Sequence, residues 1–282
     1  MAANVVLLMW LRTTLFVQYA RGLPFRQALR HIYNDGGRGW RGLARFYAGL
    51  PYGLMLAPVS RFGDTACNAG TLSLFETSEK NREAPMVVKT AAAGAAAGAF
   101  RAFITPLDTV KTIIQVEGRE RGMALLRGKA QTDGWRRALF AGAAGAGTAH
   151  TVSFVPWFSV HNTLQAIIPK VDPHGVRDGS MLLYAARSMC IGFVASAVSD
   201  TASNSLHVLK TLIQVSPTRL TYAQATRQAL AAGGLMRGLL LRGLPTRITA
   251  SAVNGALFTL LWNYGEDVRA ASEAKAERKK IA

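Results

Sequence analysis

The sequence predicts an all-α membrane protein, with six transmembrane helices in three repeats of about a hundred residues each. Three observations carry this. Apolar stretches long enough to cross a bilayer recur, strongly basic loops alternate with balanced ones, and a short polar motif returns after 97 and then 99 residues.

The spans come first. A bilayer crossing takes about 20 mostly apolar residues. Residues 138–169 and 248–265 hold no Asp, Glu, Lys or Arg. Residues 47–75, 87–116 and 181–215 hold two, four and three charges, which should face a bundle interior or reach the surface. A leading segment, 3–18, completes six. Gly94, Gly98, Gly142, Gly145 and Gly147 fall at helical spacing and suit close helix contact in lipid.

The loops set the orientation. Residues 12–45 carry seven Arg and one Asp, 117–137 six basic and three acidic residues, and 215–247 five Arg and no acid. The intervening loops, 76–89 and 170–187, are nearly balanced. The positive-inside rule puts the basic loops on one side and both termini on the other. It also accounts for the formal charge of +17. Neither zinc-ligand spacing nor an RNA-binding signature accompanies that charge, so lipid headgroups rather than nucleic acid are the expected polyanion. Cys67 and Cys190 lie inside apolar stretches and read as packing residues, with no disulfide framework and no metal site. The start lacks a basic n-region and a small-x-small cleavage site, so no cleaved signal peptide is expected.

The repeat is clearest in Thr112-Ile113-Ile114-Gln115 against Thr211-Leu212-Ile213-Gln214, each preceded by a lysine, Lys111 and Lys210. Thr14-Leu15-Phe16-Val17-Gln18 is a weaker first copy. A glycine opens the next span 31, 27 and 29 residues after each glutamine, at Gly49, Gly142 and Gly243. Between lies a short amphipathic helix, whose first and third copies share Arg-Gln-Ala-Leu at Arg26–Leu29 and Arg227–Leu230. The division is one domain, 1–282, with repeats at about 1–82, 83–178 and 179–282.

On these residues the chain resembles the mitochondrial carrier family, with degenerate signatures. Pro106, Asp108 and Lys111 followed by Gln115 match that family's P-x-D-x-x-K motif and its glutamine brace. Trp40-Arg41-Gly42 and Asp133-Gly134 resemble the second half of the signature. The resemblance implies a pseudo-threefold barrel in the mitochondrial inner membrane, termini toward the intermembrane space and the short amphipathic helices in the matrix. It implies a matrix gate of acid–lysine pairs between repeats, of which Asp108 with Lys210 alone survives. Ser205 and His207 replace proline and acid in the third repeat, and Met9, Leu11 and Thr14 occupy the first-repeat positions. Gln18, Gln115 and Gln214 remain as braces.

The resemblance also implies an opposite gate, an aromatic and an acid about nineteen and twenty residues after each opening glycine and a basic residue about three further on. Those positions hold Asn68-Ala69 with Leu72, His161-Asn162 with Gln165, and Trp262-Asn263 with Glu266, so no ion-pair gate is expected there. The family's substrate-contact positions fall on Leu56, Ala149 and Ala250, all apolar. Arg61 and Arg247 flank them, with Arg247 expected near the basic surface and His150 expected to be packed and hydrogen-bonded. Only eight residues precede Met9 where the family has roughly twenty, which predicts a first helix truncated by about 18 Å.

The expected function is therefore a non-transporting accessory subunit of a larger inner-membrane assembly, such as a respiratory or ATP-synthase complex. Its protein partners would sit beside the short first helix. The alternative is a divergent carrier of a small neutral or hydrophobic metabolite. The polar tail, 265–282, is either a solvated helix or a docking arm. Enzyme chemistry is not expected, since no nucleophile–base set, phosphate-cradling loop or paired carboxylates occur. No cofactor is expected beyond bound cardiolipin. The resemblance puts its phosphates at Trp40-Arg41-Gly42, Gly49, Gly142 and Gly243, where free helix N–H groups favour an anion.

Overall fold

The computed structural model describes residues 2–37, 39–77, 83–169 and 180–257, and all regular structure among them is helical. The long elements are α1 (Ala2–Arg21), α4 (Leu50–Thr77), α5 (Met86–Phe103) with α6 (Thr105–Glu117), α9 (Ala143–Ile167), α10 (Ser180–Val215) and α12 (244–257). Shorter ones connect them at one end: α2 (Phe25–Asp35), α3 (Gly39–Arg45), α7 (Arg119–Asp133), α8 (Trp135–Leu139) and α11 (Tyr222–Gly233), the last followed by a π-helical stretch, Gly234–Leu240. The polar tail and the third opposite-gate set, Trp262, Asn263 and Glu266, lie outside the described residues.

Sequential long helices pack side by side: α1 on α4, α4 on α5, α5 on α9, α9 on α10, and α10 on α1. The helix α12 sits between the last two, joined to α10 through Arg247 and bordering α1 along a groove. The helices α5 and α9 approach each other backbone to backbone. A Cβ on Gly98 would stand 2.7 Å from the Gly147 carbonyl oxygen, and one on Gly147 2.8 Å from that of Gly98, so glycine is required on both faces.

Proline decides which helices bend. Pro106 stands in the first turn of α6, where its missing N–H and its ring cannot continue α5, and the two segments meet at 63°. The matching position in α10 is Ser205, and α10 runs unbroken for 36 residues.

By length and composition alone, 135–167 is long and apolar enough to cross a membrane, and the bent α5–α6 pair makes a second such span. The sequence reading expects six. The other long helices carry the charged residues that the interior uses, among them Arg61 and Asp64 in α4 and Asp200 and Lys210 in α10, and these lower their mean hydropathy.

Candidate functional site

At the end where the short helices lie, the bundle is shut. The kink at Pro106 sets Asp108 in the first turn of α6, and its carboxylate accepts from Lys111 Nζ at 3.2 Å. Its other oxygen meets Lys210 Nζ from α10. All three side chains are at most 15% exposed, so the pair seams α6 to α10 with its charges largely withdrawn from water. Lys111 also stands 5.3 Å from the centre of the Phe16 ring, a cation–π contact to α1.

The glutamines lie just beyond. Gln115, fully buried, donates to Thr13 Oγ1 at 3.4 Å and stands 3.6 Å from Met9 Sδ, both on α1. Gln214 donates to Thr109 Oγ1 at 3.0 Å, joining α10 to α6. Gln18 differs from the expectation of a brace. Its amide donates at 3.4 Å to the carbonyl of Leu23 in its own segment. The α1–α10 seam is made by its neighbour instead: Tyr19 OH donates to Asn204 Oδ1 at 2.7 Å. Asn204 Nδ2 in turn donates to the carbonyls of Leu240 and Arg242, at 2.9 and 3.1 Å.

A second set of ties was not legible in the sequence. Each helix that ends at this side leaves carbonyls without intrahelical partners, carrying the negative end of the helix dipole. A cation from another segment reaches carbonyls at each of three such ends, although that of Gln18 also accepts from Gly22 N–H at 2.8 Å. Arg45 donates to the carbonyls of Gln115 and Val116 at 2.9 and 2.7 Å. Lys129 donates to those of Ile213 and Gln214 at 3.1 and 3.0 Å, and Arg242 to that of Gln18 at 3.0 Å. Arg45 is held in turn by Asp35 at 3.0 Å, and Asp35 also pairs with Arg121. Burial pushes the Asp35 carboxyl up, but the hydrogen bonds from Arg121 and Arg45 outweigh it and hold it below the usual carboxylate range.

Above the closed end lies a cavity of about 410 Å³. Its lining includes five basic side chains, Arg12, Arg61, Arg101, Lys111 and Lys210, against two acidic ones, Asp64 and Asp108. Asp64 is already committed: Arg101 donates to it at 2.6 and 3.3 Å, and His150 Nε2 lies 3.2 Å from Oδ1. Leu56 lines the cavity, whereas Ala149 is fully buried and Ala250 half-buried, and neither reaches the lining. The three contact positions are thus not brought together around this space.

Arg247 corrects a further expectation. It is not at the basic surface: only 14% exposed, it donates to Asp200 at 2.7 Å and to Ser203 Oγ at 3.1 Å. Ser251 donates to the same carboxylate at 2.6 Å. Sequence reasoning passed over Asp64, Arg101 and Asp200. A signal was there: Arg101 and Asp200 each stand fourteen residues before a bracing glutamine, Gln115 and Gln214, and Asn4 stands fourteen before Gln18. Counting forward from the glycines missed this register.

The opening glycines have a packing role. Gly49, Gly142 and Gly243 all have positive φ, at 83°, 75° and 69°. Each abuts the end of a long helix, Gly49 on Lys111 and Gln115, Gly142 on Lys210 and Gln214, Gly243 on Leu15 and Tyr19. Gly42 is buried against Tyr33, Trp40 is 81% exposed and Arg41 is exposed. A hollow of about 580 Å³ beside Gly142 is lined by Lys129, Arg136, Arg137 and Arg219.

A helical bundle with one shut end, a polar interior and a kinked Pro-Asp-Lys helix defines a carrier-type membrane protein. The family model described as Mitochondrial carrier protein matches residues 83–171 and 183–267, more than half of the chain. The chain belongs to the mitochondrial carrier family, whose members are transporters of the mitochondrial inner membrane. No match among curated proteins was found.

Proposed function

We propose that this chain is a carrier-fold protein held in one state, serving as a non-transporting accessory subunit of a larger inner-membrane assembly. The observation that carries the reading is the set of clamps at the shut end. A carrier must open that end in each cycle. Here opening would strip Arg45, Lys129 and Arg242 from the carbonyls they cover, at about 1.5–3 kcal/mol for each charged hydrogen bond. No cargo contact compensates, because the clamps lie outside the cavity. At the other end, the described gate positions hold Asn68, Ala69, Leu72, His161, Asn162 and Gln165, none of them Asp, Glu, Lys or Arg. Gln165 is itself engaged: it accepts from Arg187 of α10 at 2.8 Å.

The same reading takes the fold as six spans in three repeats, supported by the like packing of Gly49, Gly142 and Gly243. It sets α2, α7 and α11 on the matrix side and the termini in the intermembrane space, following the loop charges. Protein partners belong beside α1, whose exposed Leu7 and Trp10 border two apolar grooves of about 610 and 730 Å³. Cardiolipin is the expected lipid. The basic hollow at Gly142, where α9 begins, suits its phosphates best among the expected positions.

One observation favours the second reading, a solute carrier. A cavity with Arg12 and Arg61 in its wall would suit an anionic cargo, and a neutral one poorly. The test is to tag the protein, extract it in mild detergent, and combine a native gel with mass spectrometry. Stoichiometric migration with a large respiratory or ATP-synthase assembly is expected. Migration alone, together with uptake by reconstituted liposomes, would overturn the reading.

A further inference from the structure

We propose that Arg187 of α10 is a positioning residue for the far mouth of the bundle, pinning the end of α9 so that this mouth cannot close. The inference rests on the reading of a bundle held in one state, but not on the accessory role, and its residues stand outside the cavity lining.

It starts from the way α9 ends. The helix runs to Ile167, and the Ile168 N–H still reaches the Leu164 carbonyl at 2.9 Å. The next bond of the ladder cannot form. It would run from residue 169 to the Gln165 carbonyl, and Pro169 has no N–H. Carbonyls are therefore left without helical partners at the negative end of the dipole. Arg187 reaches three of them. Its Nη2 donates to the carbonyls of Gln165 and Ile168 at 3.2 and 2.9 Å, and its Nε to that of Pro169 at 2.8 Å. Its Nη1 donates to the Gln165 side chain at 2.8 Å.

Such a cap would be plain helix chemistry anywhere else. Gln165, however, stands where the family pattern implies the basic member of an ion-pair gate. A gate group must be free to meet a helix across the mouth, whereas Gln165 is tied sideways to α10. The middle of α9 is held on both flanks as well. Ser199 Oγ of α10 donates to the Ser153 carbonyl at 2.7 Å, and Thr151 Oγ1 stands 3.2 Å from the Gly94 carbonyl oxygen of α5. Beyond these ties comes Pro156, which leaves the Val152 carbonyl without its helix donor and makes a natural point of bending. Residues 157–167 are thus the part of α9 that closure would swing inward, and Arg187 anchors their tip. Alternating access requires one end to close before the other opens. With the tip fixed, that closure is blocked whatever the cavity holds.

The experiment reads the mouth directly, in the full chain reconstituted into liposomes. Spin labels go at Leu74→Cys near the end of α4 and Ile167→Cys at the end of α9, both exposed, with Cys67 and Cys190 replaced by alanine. Electron–electron double resonance should give one distance population in this parent. Arg187→Gln should add a shorter one. Residues 157–167 span about 16 Å, so a bend of about 20° brings their tip in by about 5 Å. Arg187→Lys, a point charge in place of a planar fork, should add a smaller share of the same population. Arg30→Gln, on the exposed face of α2, should add none. Should Arg187→Gln fail to fold, Arg187→Lys carries the comparison. A cap that is merely structural would lower the thermal midpoint of Arg187→Gln and leave the single distance in place. That result overturns the inference and leaves the one-state reading standing. Two populations already present in the parent would overturn both.

Discussion

At the scale of single residues, the shut end rests on contacts that a substitution can isolate. Gly142 is at φ 75°, and a Cβ there would stand 3.2 Å from the Lys210 carbonyl oxygen. Gly142→Ala should therefore cost about 1–3 kcal/mol, read as a lower thermal midpoint of the detergent-solubilised protein. Lys129→Met removes the one side-chain donor that reaches the Ile213 and Gln214 carbonyls among the described residues and should cost a similar amount, about 1–3 kcal/mol for the stranded acceptors. Asp35 gives a pH signature. Its pKa is depressed on folding, so its contribution is present above the unfolded value, about 3.9, and disappears as pH falls through the lower folded value. Asp35→Asn should flatten the acid limb of a stability-versus-pH curve, and an unchanged limb would contradict the Arg45–Asp35–Arg121 account. Much of this was invisible in the sequence for a physical reason. The three clamps stand four residues before Gly49, thirteen before Gly142 and one before Gly243. No shared spacing marks them, because side-chain reach and helix position, rather than register, bring each cation to its carbonyls.

At the scale of elements, the legible part is what local chemistry dictates. Pro106 bends its helix, and the Asp108, Lys111 and Gln115 spacing puts all three on successive turns of α6, where it meets α10 and α1. The residues after Gln18 were less readable, since Tyr19 and Asn204 are 185 positions apart and neither belongs to a motif. There a phenol–amide bond replaces the amide brace. The unbroken α10 makes a prediction of its own. Ser205→Pro restores the proline of the family pattern, but it removes a helix hydrogen bond and clashes with the preceding turn, at about 3 kcal/mol. A midpoint lowered by several degrees is expected. A variant as stable as the parent would mean that α10 bends as easily as the α5–α6 pair does.

At the scale of the whole molecule, the long helices of the described residues, with α5 and α6 as one bent pair, border a basic cavity shut at one end, and the charges that dilute their hydropathy line or tie the interior. Of the apolar stretches read in the sequence, 135–167 and the bent α5–α6 pair are long and apolar enough to cross a membrane. The interior pairs Asp64 with Arg101 and Asp200 with Arg247 join residues 37 and 47 positions apart, and only the folded bundle discloses them. The central claim is that this bundle stays in one state, and the distance between α2 and α11 tests it most directly. Spin labels go at Arg30→Cys and Gln228→Cys, both exposed, in a background with Cys67 and Cys190 replaced by alanine. Electron–electron resonance in liposomes, with and without citrate, should give one distance population that the anion does not shift. A second, longer population that grows with citrate would show the shut end opening, and would contradict the account.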